Sequence, residues 1–284
     1  MTRPIPARTW LGTLIIIVSQ GATLARIEPF HSWHTPIAWT GYILAVDGLV
    51  WKRRGSSWLS DARAEMLFLA FVSVPLWVVF ELYNKYSIHN WHYIGLPESI
   101  PLRYFGYAWS FATILPALFE TGDLISSLRD RRAPMDRAAA PPRHKPGPLG
   151  WLSVLAGALM LALPILYPSP YLAAPVFLGF AFLLDPLNAM TGAESILGDV
   201  RQRHYGRLIN LLLAGLVCGF AWELWNYRAG GKWIYTVPIL PNLRLFEMPF
   251  PGYLGFPPFA VECFVMYIWV RAFIWRSAAR PVSI

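Results

Sequence analysis

Apolar residues run through the chain in long stretches, and the charged residues fall between those stretches rather than inside them. A bilayer core about 30 Å thick needs roughly 20 apolar residues per helix. Eight stretches meet or approach that length: residues 9–25, 35–51, 64–82, 104–126, 150–168, 171–188, 207–225 and 253–275. Several hold Pro or Gly, which membrane helices tolerate better than soluble ones. The pattern predicts an all-α integral membrane protein with eight transmembrane helices.

The stretches repeat. Trp10-Leu11 opens the first and Trp151-Leu152 the fifth, and Gly41 with Asp47 recurs as Gly179 with Asp185. Phe80-Glu81-Leu82-Tyr83-Asn84 returns as Trp222-Glu223-Leu224-Trp225-Asn226, and Trp91-His92-Tyr93 as Trp233-Ile234-Tyr235. Leu102-Arg103 returns as Leu243-Arg244, and Pro116 with Glu120 as Pro258 with Glu262. All these offsets lie between 138 and 142, which indicates one duplication with small loop insertions. Residues 1–126 form a first four-helix repeat, 127–149 a cytoplasmic linker rich in Pro and Arg, and 150–284 a second repeat. Four helices is an even number, so the two repeats run parallel through the bilayer. The opening run, ending Ala22-Thr23-Leu24-Ala25, has the look of a signal peptide, but the second repeat carries its own copy of that helix, which argues against cleavage.

Composition agrees with lipid as the main solvent. Of 284 residues, 56% are hydrophobic and 14% charged, where a soluble domain carries about a quarter charged. The net charge of +8 raises the question of nucleic acid. Its distribution answers otherwise: 18 Lys and Arg fall on one side of the expected crossings and 6 on the other, the positive-inside pattern. That places both termini in the cytoplasm of a multi-pass protein of the cell membrane. The basicity sets orientation and calls for no nucleic-acid partner. Cys218 and Cys263 sit within apolar stretches without a CxxC partner and read as buried structural thiols.

Ionisable groups inside a membrane cost at least about 2.5–3.5 kcal/mol and are functional candidates by default. Six acids form three duplicated pairs: Asp47 with Asp185, Glu81 with Glu223, and Glu120 with Glu262. Glu81 and Glu223 have Asn84 and Asn226 one turn later, on the same helical face. Glu120 and Glu262 have no Lys or Arg within a helical turn, and a carboxyl removed from water without a cation favours its protonated form. Such an acid suits general-acid attack on a carbon–carbon double bond, or equally an interhelical hydrogen bond. Asp47 lies close to Lys52, Arg53 and Arg54 and reads, like Asp185, as an interfacial ion pair or helix-end group.

Two outer loops of roughly twenty residues or more carry Trp91, Tyr93, Trp233 and Tyr235, and loops that long are usually functional. An interfacial aromatic belt accounts for aromatics in general; it does not account for a Trp-x-Tyr kept at matching places, and aromatic faces stabilise cations. His31, His34, His89 and His92 also fall in outer loops, but the second repeat has no equivalent, and they read as interfacial rings rather than a metal site. No phosphate-loop, dinucleotide, zinc-protease or serine-hydrolase motif is present in the sequence.

Phe80-Glu81, Trp91-His92-Tyr93 and Pro116 to Glu120, with Trp222-Glu223, Trp233-Ile234-Tyr235 and Pro258 to Glu262, form a series that resembles the membrane-embedded, flavin-free lycopene cyclases. In that tandem-domain family a helix ends in an aromatic–acid pair, a Trp-x-aromatic loop follows, and the next helix opens with Pro-Leu-Glu-Glu. This chain has one Glu where the family has two, a longer Pro-to-Glu spacing, and an additional leading helix in each repeat. The resemblance implies a redox-neutral, cofactor-free isoprenoid or carotenoid cyclase or isomerase. Glu120 and Glu262 would be acid and base, Glu81 and Glu223 would tune or accept protons, and Trp91, Tyr93, Trp233, Tyr235, Asn84 and Asn226 would contact a hydrophobic substrate entering from the bilayer. Two other classes fit the residues themselves: a proton-coupled small-molecule transporter, and a non-catalytic structural or pigment-binding membrane protein.

Overall fold

The computed structural model describes residues 3–129 and 146–274. Most of the expected linker, 130–145, and the expected cytoplasmic arginines Arg276 and Arg280 lie outside the described residues.

The described residues are about 77% helical. Helix α1 (Ala7–Leu24) follows Pro6, and α2 (Phe30–Arg54) carries an irregular Trp33 and Pro36 in its first turns. Gly55, at φ +83°, ends α2 after Lys52, Arg53 and Arg54, whose charges suit the negative end of the helix dipole. A short α3 (Trp58–Asp61) leads into α4 (Arg63–Tyr83), which runs on into a π-helical turn at Asn84–Ile88. Strand β1 (Trp91–Ile94), α5 (Ile100–Ala112) and α6 (Ile114–Arg129) complete the first half. The second half holds α7 (Pro148–Leu166), α8 (Ala173–Thr191), a short α9 (Ile196–Arg201) and α10 (Gly206–Tyr227). After these come β2 (Lys232–Tyr235), the two-residue strands β3 (Arg244–Leu245) and β4 (Met248–Pro249), and α11 (Phe256–Ile274).

Among the described residues, five helical segments are long and apolar enough to cross a membrane: Arg63–Ile88, Pro148–Leu166, Pro170–Thr191, Gly206–Tyr227 and Phe250–Ile274. The stretch expected at 9–25 matches α1 to within two residues at each end, and the one expected at 35–51 falls within α2. The one expected as a single helix over 104–126 is divided between α5 and α6 at Thr113. Two residues cause the break. Pro116 has no N–H to give to Ala112, and Ser73 of α4 inserts its hydroxyl into the ladder. Ser73 donates to the Phe111 carbonyl and accepts from the Leu115 N–H at 3.1 Å.

Helix α1 packs on α2 and α7 on α8. Glycines allow the close approach, since a Cβ on Gly12 would collide with the Gly41 carbonyl, and one on Gly157 with the backbone of Gly179 and Leu183. Inside these pairs, α6 and α11 pack against α2 and α8 respectively, and α10 lies against both α6 and α11. Buried ion pairs gather at one end of the bundle: Arg8 with Asp47, Arg54 with Asp123, and Arg271 with Glu65 and Glu194. At the other end, β1 and β2 join the halves as an antiparallel pair, with Trp91 opposite Tyr235 and Tyr93 opposite Trp233.

Candidate functional site

Strands of four residues have little stability of their own, and these two are held on both edges. One edge of each bonds to the other strand. The free edge is taken by an asparagine at the end of the preceding helix. Asn84 donates from Nδ2 to the Trp91 carbonyl at 2.8 Å, and its Oδ1 accepts from the N–H groups of Asn90 and Trp91 at 2.7 and 3.1 Å. Asn226 does the same for Trp233, donating to its carbonyl at 2.8 Å and accepting from its N–H at 3.0 Å. An amide presents one donor and one acceptor side by side, so it imitates the edge of a strand. Both asparagines were expected to contact substrate; instead they are spent on the backbone and position the Trp-x-Tyr strands.

Alternation along each strand then sends Trp and Tyr to the same side, toward a glutamate. Glu81 Oε1 accepts from Tyr93 Oη at 2.6 Å, Trp77 Nε1 at 2.8 Å and Trp91 Nε1 at 3.2 Å. In the other half, Trp233 Nε1 donates to Tyr235 Oη at 2.8 Å, and Tyr235 Oη donates to Glu223 Oε1 at 2.8 Å. Burial, reinforced by the neighbouring Glu81, pushes the Tyr93 phenol well above its ordinary range, and burial with Glu223 does so for Tyr235. Both phenols are therefore neutral O–H donors.

These rings wall a cavity of about 420 Å³, within the range of small-molecule sites. Six tryptophans line it: Trp33, Trp39, Trp77, Trp91, Trp222 and Trp233. Tyr93 and Tyr235 line it too, and Phe259 and Pro258 enter from α11. Trp77 sits at the centre, with ring centroids 5.5 Å from Trp222, 5.7 Å from Phe259 and 6.1 Å from Trp91. Glu81 and Glu223 stand directly behind this wall, bonded to its rings.

Glu120 and Glu262 do not line the cavity. Both are fully buried. Glu262 accepts the Phe180 N–H of α8 through Oε1 at 2.8 Å, fastening α11 to α8. Neither oxygen of Glu120 meets a donor among the described residues, and its acidic neighbours are Asp47 and Asp123. The four glutamates that the resemblance casts as acid, base and proton acceptors therefore occupy three places. Asp47 is ion-paired with Arg8 of α1, not with the basic residues that follow it, and accepts the Leu59 N–H at 2.9 Å. Asp185 accepts the N–H groups of Ile196 and Leu197, each at 2.7 Å. Both aspartates tie down the short helix that follows.

The histidines are dispersed. His34 Nδ1 bonds to Ser19 Oγ at 2.7 Å, while the His31 and His89 carbonyls accept from Gly230 and Thr236. Among the described residues no three His, Cys, Asp or Glu side chains gather in a way that suits a metal ion.

Sequence reasoning missed Trp33, Trp39 and Trp77. Trp77 carries a signal that spacing reveals, since it lies four residues before Glu81 and so on the same helical face. Trp33 and Trp39 carry none, because no matching tryptophan stands at the corresponding place in the second half. No protein-family model, no curated protein and no solved structure matches this chain.

Proposed function

We propose that the protein binds a long isoprenoid in the aromatic cavity and isomerises or cyclises it by proton transfer. The carrying observation is the pair of Glu–Tyr units, Glu81–Tyr93 and Glu223–Tyr235, whose tyrosines face a cavity walled by tryptophans while the glutamates stand behind them. One unit gives a proton to a double bond, a second double bond attacks the resulting cation to close a ring, and the other unit removes a proton from the neighbouring carbon. The product is an isomer of the substrate, so no electron acceptor is called for. Indole faces favour the intermediate cation, and an apolar wall keeps water from capturing it. The series of residues that resembles the flavin-free lycopene cyclases supports the same chemistry. Glu120 and Glu262 then act on the helices rather than on the substrate.

The membrane arrangement belongs to this reading. Eight crossings are supplied by α1, α2, α4, α5 with α6, α7, α8, α10 and α11, as two parallel repeats with both termini in the cytoplasm. Matching contacts favour it: the α1–α2 packing has its counterpart in α7–α8, α2–α6 in α8–α11, and α6–α10 in α11–α4. The strand register is self-complementary, as a two-fold axis between copies requires. Sites in duplicated membrane folds tend to form where the copies meet.

The test is to produce the protein in a host that makes linear carotenoids and other polyprenyl lipids, and to separate the extracted isoprenoids. A new isomer that disappears in Tyr93→Phe and Glu81→Gln is expected. Unchanged extracts from a host holding the folded protein would count against the enzyme. Since Glu120 and Glu262 lie off the cavity, a second reading is binding without catalysis; an isoprenoid would then co-purify unchanged with both the native chain and Glu81→Gln.

A further inference from the structure

One face of α5 borders the cavity from end to end. Arg103, Gly106, Tyr107, Ser110 and Phe111 line it, and Ile114 continues the line on α6. At 1.5 Å per residue this wall is about 16 Å long, and its chemistry changes along the way. It is cationic at Arg103, hydroxylated at Tyr107 and Ser110, and hydrocarbon at Phe111 and Ile114.

The charge of Arg103 meets no counter-charge among the described residues. Arg103 Nε donates to the Pro97 carbonyl at 3.1 Å, and no carboxylate among the described residues pairs with the guanidinium. Lys232, the other cation on the lining, is neutralised by Glu247 at 2.5 Å and also donates to the Tyr227 carbonyl. The second half provides an internal comparison. Arg244, at the matching place, also donates from Nε to a proline carbonyl, Pro241, at 2.7 Å, yet it is exposed and does not line the cavity.

From this gradient we infer that the cavity's ligand is an isoprenoid with an anionic end, a prenyl phosphate in chemical class, held with its anion on Arg103 and its chain running toward Ile114. The inference rests on the reading of the cavity as an isoprenoid site and adds the polarity and direction of the ligand. A guanidinium beside an apolar slot matches phosphate oxygens in charge and in hydrogen-bond geometry. A neutral hydrocarbon would leave it without a counter-charge at the site.

Gly106 supplies the control. It lies on the cavity lining, and a Cβ built there has no heavy atom within 4 Å, so the position has room for a larger side chain. The experiment measures quenching of tryptophan fluorescence in the full-length protein in nanodiscs, with geranylgeranyl phosphate and geranylgeraniol as probes. The phosphate is expected to bind about ten-fold or more tighter than the alcohol, by the strength of a charge-assisted bond. Arg103→Gln should bring the phosphate to the alcohol's affinity without weakening the alcohol, and Arg244→Gln should change neither. Gly106→Leu should weaken both probes. Equal affinity for the two probes, with both still blocked by Gly106→Leu, would overturn the anionic end and leave the isoprenoid cavity standing. Binding of both that ignores Gly106→Leu would remove the cavity reading itself. Phosphatidylglycerol displacing the phosphate probe as well as unlabelled prenyl phosphate does would make Arg103 a general lipid contact and defeat the inference.

Discussion

Replacing Asn84 with alanine tests whether the asparagines build the site. The side chain makes three hydrogen bonds, to the Trp91 carbonyl and to the N–H groups of Asn90 and Trp91, and is itself buried. A net contribution near 1 kcal/mol per bond gives a loss of about 3 kcal/mol, and more if the freed groups stay dry. Asn226 makes two such bonds, to the carbonyl and N–H of Trp233, so Asn226→Ala should cost about 2 kcal/mol. The double variant should cost less than the sum, because β1 and β2 pair with each other and freeing one strand already loosens the other. Reversible unfolding in mixed micelles, followed by tryptophan emission, measures all three. Losses below about 0.5 kcal/mol for both single variants would refute the argument, since that is the range of an ordinary surface substitution. A sum that is strictly additive would refute the coupling alone.

Three further outcomes follow from other parts of the bundle. Arg271 bridges Glu65 at 2.8 Å and Glu194 at 3.1 Å in a buried cluster, so Arg271→Ala should destabilise by about 3–5 kcal/mol in the same unfolding assay, with Arg271→Lys in between; no loss would mean the cluster is solvated. Gly157→Ile should push α7 off α8, because its Cβ has backbone in its way; faster proteolysis confined to the α7 region is the expected sign, and an unchanged digest counts against close packing. Ser73→Ala should leave the Phe111 carbonyl and Leu115 N–H without their shared partner, at about 1–3 kcal/mol, unless α5 and α6 close into a continuous helix, which Pro116 opposes.

What could be read in advance depended on repetition. Glu81, Glu223 and both Trp-x-Tyr motifs stand at matching positions, and these are the residues that meet around the cavity. Helix existence was legible from apolar length, and α4, α8 and α10 fall within a few residues of the stretches that predicted them. The break at Thr113 was not, because half its cause is Ser73, a residue from another helix. Pairing of β1 with β2 was also hidden: Trp91–Ile94 and Lys232–Tyr235 are too short for alternation to register, and their edges depend on Asn84 and Asn226. Glu120 and Glu262 repeat as faithfully as Glu81 and Glu223, yet a repeated acid marks a shared helix contact as readily as a shared site, and only packing separates the two.

A site on a two-fold axis would hold a linear molecule equally well in either direction. In the proposed reading the cavity departs from that symmetry at several places. Trp77 has Gly219 as its counterpart, and Gly219 lies so close to Phe256 that no side chain fits there. Arg103 borders the cavity and Arg244 does not. Glu81 collects three donors, whereas Glu223 receives its bond from Tyr235, which in turn receives Trp233. Under the proposed duplication the two halves share a frame and differ in what they offer a ligand. Glu81→Ala should accordingly free three donors and cost about 3 kcal/mol, against about 1 kcal/mol for Glu223→Ala, and should disturb ligand binding more. Equal losses in stability and binding would mean the two halves are interchangeable, and the ligand would then have no fixed direction.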